Sequence, residues 1–333
     1  MSLFFIAEAG VNHNGDVSLA HRLVDVAVAA GADAVKFQTF VPEKLVTADT
    51  PQAAYQARNV GQRQSQLTML QQLALPQSAF VELKQHCDEA GIVFMSTPFD
   101  EESVHFLAKL GMTHFKIPSG ELLSTPYLRV IATYNRPTLL STGMATLEEV
   151  RYGVETLLQA GLEQANLTLL HCTSAYPTPA DAVNLRAMET LAHTFALPVG
   201  LSDHTEGMTA AIMALALGAE VIEKHFTLDR SLPGPDHAAS LEPAALTEFV
   251  TALRQAETML GDGIKRPAEA EMDTRAVARR RIVAARPIAK GQVIAAEDLT
   301  LRRAPKGWFG DRWDRVIGAA APRDFAVGEG IEW

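Results

Sequence analysis

The chain has 333 residues, 47% of them hydrophobic and 20% charged, with a formal net charge of -10. That composition describes a folded globular protein large enough for a barrel plus an appendage, and it excludes a disordered chain. The acidic balance argues against nucleic acid as a partner, although lysines and backbone N–H groups can still build a local anion site.

Met1–Gly10 lacks the basic start and long apolar run of a signal peptide. The apolar run Met208–Gly218 is too short to cross a bilayer and reads as a buried helix, so no membrane partner is expected. Two cysteines, Cys87 and Cys172, cannot make a disulfide framework, which favours reduced thiols and a cytoplasmic location. From Phe4 onward, short β-rich runs alternate with helical patterns. Strands are expected at Phe4–Ala7, Ala34–Phe37, Ile92–Met95, His114–Ile117, Thr138–Leu140, Leu167–His171, Val199–Leu201 and Glu220–Glu223. Helix-like stretches between them include Leu19–Ala30, Ala79–Ala90, Glu101–Leu110, Leu147–Ala160 and Thr209–Leu217. Thr47–Leu75, rich in Gln and Ala, reads as a helical excursion over the mouth.

Eight strand–helix units in about 260 residues predict an α/β protein whose parallel sheet closes as a (β/α)8 TIM barrel. No G-x-G-x-x-G follows the first strand, which argues against an open dinucleotide-binding sheet. The barrel is assigned to residues 1–262 and a polar linker to 263–280; residues 281–333 lose helical periodicity and read as a small, mainly β domain.

In such a barrel the C-terminal strand ends share one mouth, and almost every one of these ends is polar. They are Glu8 with Asn12 and His13, Lys36 with Gln38, Ser96 with Thr97, and Lys116 with Ser119 and Glu121; then Ser141 with Thr142, His171 with Cys172, Ser202–His204 and Glu223–His225. A single polar strand end is ordinarily a cap or a turn; the series points to a site. Lys116, Ser119 and the flexible backbone at Gly120 supply donors for a phosphate or carboxylate, and Ser141-Thr142-Gly143 adds a second such turn. His204 and His225, taken singly, read as core histidines. At the ends of successive strands they can share a divalent ion such as manganese or zinc that keeps open positions. Asp203 or Asp236 can orient them, and Asp236 equally reads as a turn residue of Pro-Gly-Pro-Asp.

The segments IAEAGVNHNGD, AVKFQTF, STPFD, KIPSGELL, LSTGMATLEEV, LLHCTSAYPTP, VGLSDHT and IEKHFTLDRSLPGPDHAASLEP resemble the sialic acid synthase family, and the last part of the chain resembles its antifreeze-like SAF domain. The resemblance implies condensation of phosphoenolpyruvate with an N-acetylated amino sugar and water, giving a nonulosonic acid and phosphate. The acceptor would be N-acetylmannosamine or a 2,4-diacetamido-6-deoxy analogue; PDHAASLEP resembles neuraminate and diacetyllegionaminate synthases more than pseudaminate synthases. It also implies a divalent metal, usually Mn2+ with Mg2+ or Co2+ as alternatives, and a domain-swapped homodimer. Carried over by motif, His204 and His225 hold the metal. Lys36, Thr97, Lys116, Ser119, Ser141 and Ser202 bind phosphoenolpyruvate, while Glu8, Gln38, Tyr176 and Asp236 contact the sugar. Arg303 would reach a partner chain's acceptor, and Glu121, Lys116 and Asp236 are the expected catalytic groups, with Glu121 or the metal activating water. Two departures stand out: Arg302-Arg303-Ala304-Pro305-Lys306-Gly307 replaces K-R-P-G-N-G, and Ser174 stands where some members have asparagine. A metal-dependent aldolase or isomerase would share the barrel and histidines without consuming phosphoenolpyruvate. A non-enzymatic carbohydrate-binding protein would have no use for Lys116, Glu121 and both histidines together.

Overall fold

A computed structural model describes residues 3–53, 56, 59 and 64–333. Eight parallel strands form one sheet: β1 (Phe4–Gly10), β2 (Ala34–Thr39), β3 (Val93–Pro98), β4 (Phe115–Ile117), β5 (Thr138–Ser141), β6 (Leu167–Cys172), β7 (Val199–Asp203) and β8 (Val221–His225). Their order is β3-β2-β1-β8-β7-β6-β5-β4, and β4 lies beside β3, so the sheet nearly closes into a barrel. Around it run α1 (Val17–Ala30), α2 (Pro42–Leu45), α3 (Gln66–Leu73), α4 (Gln77–Ala90), α5 (Glu101–Lys109), α6 (Thr125–Ala132), α7 (Leu147–Gln159), α8 (Ala187–Phe195), α9 (Thr209–Ala216) and α10 (Pro243–Leu260). The helix ends carry their own signals. Asp16 accepts from the Ser18 and Leu19 amides at the start of α1, and Gly31 ends that helix at φ 80, where a Cβ would be strained. Thr146 and Glu149 form a reciprocal capping box at the start of α7.

Side-chain alternation sorts each strand into a barrel-facing and a helix-facing set. Ile6, Ala34, Met95, Leu139, Leu170 and Val221 pack together inside the barrel. Phe5, Val35, Phe37, Phe94, Leu201 and Ile222, on the other face, join the larger core beneath the helices. Two residues beyond the inner layer, the same strands present Glu8, Lys36, Thr97, Ser141, Cys172 and Glu223. The inner layer is a hydrophobic floor and the next layer is a polar mouth. Gly200 is required by this packing, because a Cβ there would fall 2.3 Å from the Val221 carbonyl oxygen and 2.7 Å from Leu170 Cδ2.

Several strands run farther into polar sequence than expected: β1 reaches Gly10, β7 reaches Asp203 and β8 reaches His225. Buried cross-strand bonds such as Ser202 Oγ to Glu223 Oε1, 2.8 Å, explain the extension, since each polar residue finds a partner inside the mouth.

Contacts divide the chain into residues 1–261 and 262–333. The second unit pairs β9 (Arg280–Ala284) with β10 (Leu299–Arg303) antiparallel, over a core of Ile282, Ala284, Ile288, Ile294, Leu299, Val316, Phe325 and Ile331. The segment expected to be a plain linker carries α11 (Met272–Ala278), and a short α12 (Trp313–Val316) follows β10. Gly330 lets the chain approach Lys306, whose carbonyl oxygen would lie 2.1 Å from any Cβ placed there. Among the described residues no helix is long and apolar enough to cross a membrane.

Candidate active site

A cavity of about 580 Å3 opens at the C-terminal strand ends. Its lining brings together Glu8, Lys36, Gln38, Thr97, Lys116, Ser119, Ser141, Tyr176, Ser202, His204, His225 and Asp236, twelve of the fourteen residues to which the resemblance gives a catalytic, substrate or metal role. The remaining two lie elsewhere. Arg303 is exposed at the end of β10, paired with Arg280 in the second unit. Glu121 sits in the short turn Ser119–Glu121, where its carboxylate accepts from Ser124 Oγ at 2.5 Å, and it is not among the residues that line the cavity.

The carboxylate at the centre is Glu223, to which sequence reasoning gave no role of its own. It lies 3.6 Å from Lys36 Nζ and 3.7 Å from Lys116 Nζ, and all three side chains are buried. Burial opposes charge on Glu223, but Lys116, Lys36 and the Ser202 hydrogen bond overcome it and hold the carboxyl well below its ordinary range. Glu8 differs. Its carboxyl is 2.5 Å from Lys36 Nζ, yet burial, with repulsion from Glu223, outweighs that attraction and raises its pKa. Lys36 also donates to Thr97 Oγ1 at 2.9 Å. Lys116 has no second carboxylate so close, and burial lowers its pKa, partly offset by Glu223. The signal that would have found Glu223 is alternation along V-I-E-K-H: Val221, Glu223 and His225 share the barrel face, while Ile222 and Lys224 share the other.

Anion donors converge on the β4–β6 side. The Gly143 amide donates to Ser119 Oγ at 2.9 Å, and Ser119 Oγ lies 3.2 Å from Cys172 Sγ. Ser141 Oγ is buried with no hydrogen-bond partner in the structure, as expected of a donor that waits for a ligand. Ser174 lines the same wall. Cys172 therefore faces the site, whereas Cys87 is buried beneath the helices, where desolvation pushes its thiol up to about 12.

His204 and His225 extend from neighbouring strands with ring centroids 5.5 Å apart, and Tyr176 packs 4.2 Å from the first ring and 5.9 Å from the second. The Thr173 carbonyl lies 2.9 Å from His204 Nδ1; a carbonyl only accepts, so Nδ1 carries the proton and Nε2 keeps its lone pair. His225 Nδ1 is buried without a partner. Burial lowers both pKa values, that of His225 strongly, and so keeps both rings neutral. Two neutral imidazoles beside an ionised carboxylate fit a divalent ion that retains open positions. Among the described residues no group of three or more His, Cys, Asp or Glu is arranged to hold a metal, so the protein offers the histidine pair.

Asp203 does not orient these rings. It points away from the mouth, accepting from Lys224 Nζ at 2.8 Å and from the Thr205 amide at 2.9 Å. Asp236 lines the cavity, and burial pushes its carboxyl up to about 6. Its loop is tied to the first strand end, where Asn12 Nδ2 donates to the Phe226 carbonyl at 2.7 Å and to Ser240 Oγ at 3.0 Å, and Ser240 Oγ donates to the Asp236 carbonyl at 2.6 Å. His237, 2.6 Å from Thr227 Oγ1 and 3.0 Å from Asn14 Oδ1, completes this tie.

The NeuB family pattern matches residues 23–265 and that of the SAF domain matches residues 279–333. The chain is 45% identical to the N,N'-diacetyllegionaminic acid synthase of Campylobacter jejuni, over 97% of each chain. It is 45% identical to the enzyme of the same name from Legionella pneumophila, over 100% of this chain and 94% of that one. Among solved structures it is similar to the N-acetylneuraminic acid synthetase of Leptospira borgpetersenii, at a TM-score of 0.71 and 32% identity, covering 83% of this chain and 90% of that one. This protein is a member of the NeuB family of synthases, with a C-terminal SAF domain.

Proposed function

We propose that the enzyme condenses phosphoenolpyruvate with an N-acetylated amino sugar aldehyde and water, yielding a nonulosonic acid and inorganic phosphate. The observation that carries this reading is one cavity holding two buried lysines, waiting hydroxyl donors and a neutral histidine pair together. A sugar alone has no need of that much buried positive charge, which matches a small, multiply charged anion.

Lys116, Lys36 and the hydroxyls of Ser119, Ser141 and Thr97 hold the phosphate and carboxylate of phosphoenolpyruvate, with Ser202 fixing Glu223 between the lysines. In a site of reduced dielectric these fixed cations offset charge more strongly than they would in water. His204 and His225 would hold a divalent ion, and we propose Mn2+; such an ion supplies Lewis acidity to the aldehyde oxygen. Glu8, Gln38, Tyr176 and Asp236 line the side on which the acceptor lies. Attack by the enol methylene carbon on the aldehyde leaves an electron-poor C2, to which water adds before phosphate departs. Glu8, whose raised pKa suits proton transfer near neutrality, takes the proton from that water. Arg303 belongs to the second unit; in a homodimer we assign it to the acceptor of the partner chain.

The test is release of inorganic phosphate from phosphoenolpyruvate with Mn2+ and either N-acetylmannosamine or its 2,4-diacetamido-6-deoxy analogue. Acceptor-dependent release supports the reading. Intact phosphoenolpyruvate with both acceptors would rule it out.

A further inference from the structure

The loop that carries Asp236 into the cavity is held by a histidine that is not part of the cavity wall. His237 is fully buried and does not line the mouth, whereas its neighbour Asp236 does. Asn14 Oδ1, a carbonyl oxygen 3.0 Å from Nε2, only accepts, so Nε2 carries the ring proton. Nδ1, 2.6 Å from Thr227 Oγ1, then accepts from that hydroxyl, and Thr227 Oγ1 accepts in turn from the Asp229 amide at 3.3 Å. The hydrogen bonds run one way, from the chain after β8, through the ring, to the turn after β1. Burial holds the ring at about 4, so it is neutral at pH 7 and the direction of the chain is fixed.

The loop closes directly on this ring. At Gly234, two residues before Asp236, a Cβ would fall 2.5 Å from His237 Cδ2 and 2.8 Å from Asn14 Oδ1, so the backbone lies against the ring and its partner. Asn14 stands in the left-handed region at φ 51, which asparagine tolerates better than most side chains. Nothing comparable holds the Asp236 side chain. Among the described residues its carboxylate has no hydrogen-bond partner, and burial alone raises its pKa. The carboxylate is therefore placed by its backbone. That backbone is held at Gly234 and residue 237 by the ring, at Pro235 by Asn59 Nδ2 at 2.6 Å, and at Asp236 by Ser240 Oγ.

We propose that His237 is a positioning residue for the acceptor sugar: its ring fixes the loop that sets the Asp236 carboxylate against that sugar. The proposal deepens the synthase reading and rests on it. Moving a substrate-positioning group by about 1 Å costs on the order of 100-fold in rate. The lysines and hydroxyls assigned to phosphoenolpyruvate stand at the ends of β2, β3, β4, β5 and β7, away from this loop after β8. Loss of the ring's hydrogen bonds therefore falls on one substrate and spares the other.

The experiment follows steady-state phosphate release with N-acetylmannosamine or its 2,4-diacetamido-6-deoxy analogue, whichever the wild-type enzyme uses. His237→Leu, which fills the slot without hydrogen bonds, is expected to lower kcat/KM for the acceptor at least about tenfold and to leave the KM for phosphoenolpyruvate within about twofold. His237→Gln, whose amide can donate to Asn14 as Nε2 does, should return the acceptor kcat/KM to within about threefold of wild type. A cycle with Asp236→Ala separates positioning from mere packing: once that carboxylate is gone, His237→Leu should change the acceptor kcat/KM by less than about twofold. Thr227→Val removes only the hydroxyl donated to Nδ1; it should lower the same quantity by about threefold or more, and it decides the matter if His237→Leu does not fold. The proposal is overturned by an unchanged acceptor kcat/KM in folded His237→Leu or in Thr227→Val, by His237→Gln as impaired as His237→Leu, or by an undiminished loss in the Asp236→Ala background. Release of phosphate with neither acceptor by the wild-type enzyme would defeat the synthase reading itself, and a role for His237 toward an acceptor with it.

Discussion

A buried carboxylate acts as a counter-charge or as a base according to its neighbours, and this site contains one of each. Glu223, pinned between two lysines, stays ionised and gives up its charge reluctantly, so it organises the cations. Glu8 is poised to exchange a proton. Glu8→Gln is therefore expected to lower turnover at least about a hundredfold, while Glu121→Gln stays within about threefold of wild type in steady-state phosphate release. The reverse pattern would return the role of base to Glu121. Asp236 makes a second prediction. Its folded pKa, about 6, lies above the ordinary value of 3.8, so between those values the folded state binds more protons than the unfolded one. Stability then falls as pH rises through that window, by up to about 3 kcal/mol for this group. Asp236→Asn should remove that component, seen as the difference between wild-type and variant urea denaturation curves from pH 4 to 7. His13, which burial holds at about 4, contributes a slope of opposite sign to both proteins and cancels in the difference.

At the scale of the element, strand parity decides what each residue of VGLSDHT and VIEKHFT does. Ser202, His204, Glu223 and His225 face the mouth, while Asp203 and Lys224 form a buried ion pair on the opposite face, with Lys224 Nζ 5.5 Å from the Phe249 ring of α10. That pair ties the ends of β7 and β8 together directly behind the two histidines. Lys224→Ala leaves the Asp203 charge buried and alone, and should destabilise the fold by about 3–5 kcal/mol in chemical denaturation. A loss below about 1 kcal/mol would mean that the pair contributes little. The strands themselves were legible, because short β-rich apolar runs that end in polar residues and alternate with helical patterns are the sequence image of a barrel with a polar mouth. The division of labour among neighbouring polar residues was not. Asp203 beside His204 reads as a natural orienter until alternation places it on the wrong face, and nothing in the sequence shows that the Glu121 carboxylate accepts from Ser124. Met69, Leu70 and Leu73 look in sequence like any buried helix stripe, and only the structure shows that they line the cavity. Of the excursion expected at Thr47–Leu75, positions 54–55, 57–58 and 60–63 lie outside the described residues, and α2 and α3 flank them.

For the whole molecule, the barrel supplies nearly every group that the chemistry needs, and the second unit is a separate fold with its own small core. Trp308 and Phe309, which follow the unusual loop, are taken up locally: Trp308 packs 4.6 Å from Trp333, and Arg281 lies over the Phe309 ring at 4.5 Å. Arg303, exposed at the end of β10, remains available. If it serves the acceptor of a partner chain, Arg303→Ala should raise the acceptor KM at least about tenfold and leave the KM for phosphoenolpyruvate unchanged, the signature of lost binding to one substrate alone. An unaltered acceptor KM would separate the second unit from catalysis. The central claim is that a cation-lined pocket presents an enol phosphate to a sugar aldehyde, with water adding at the enol carbon. Phosphoenolpyruvate labelled with 18O in the oxygen that bridges carbon and phosphorus tests it most directly. With Mn2+ and either acceptor, mass spectrometry should find the label in the released phosphate. Phosphate without the label, or no phosphate at all, would contradict the account.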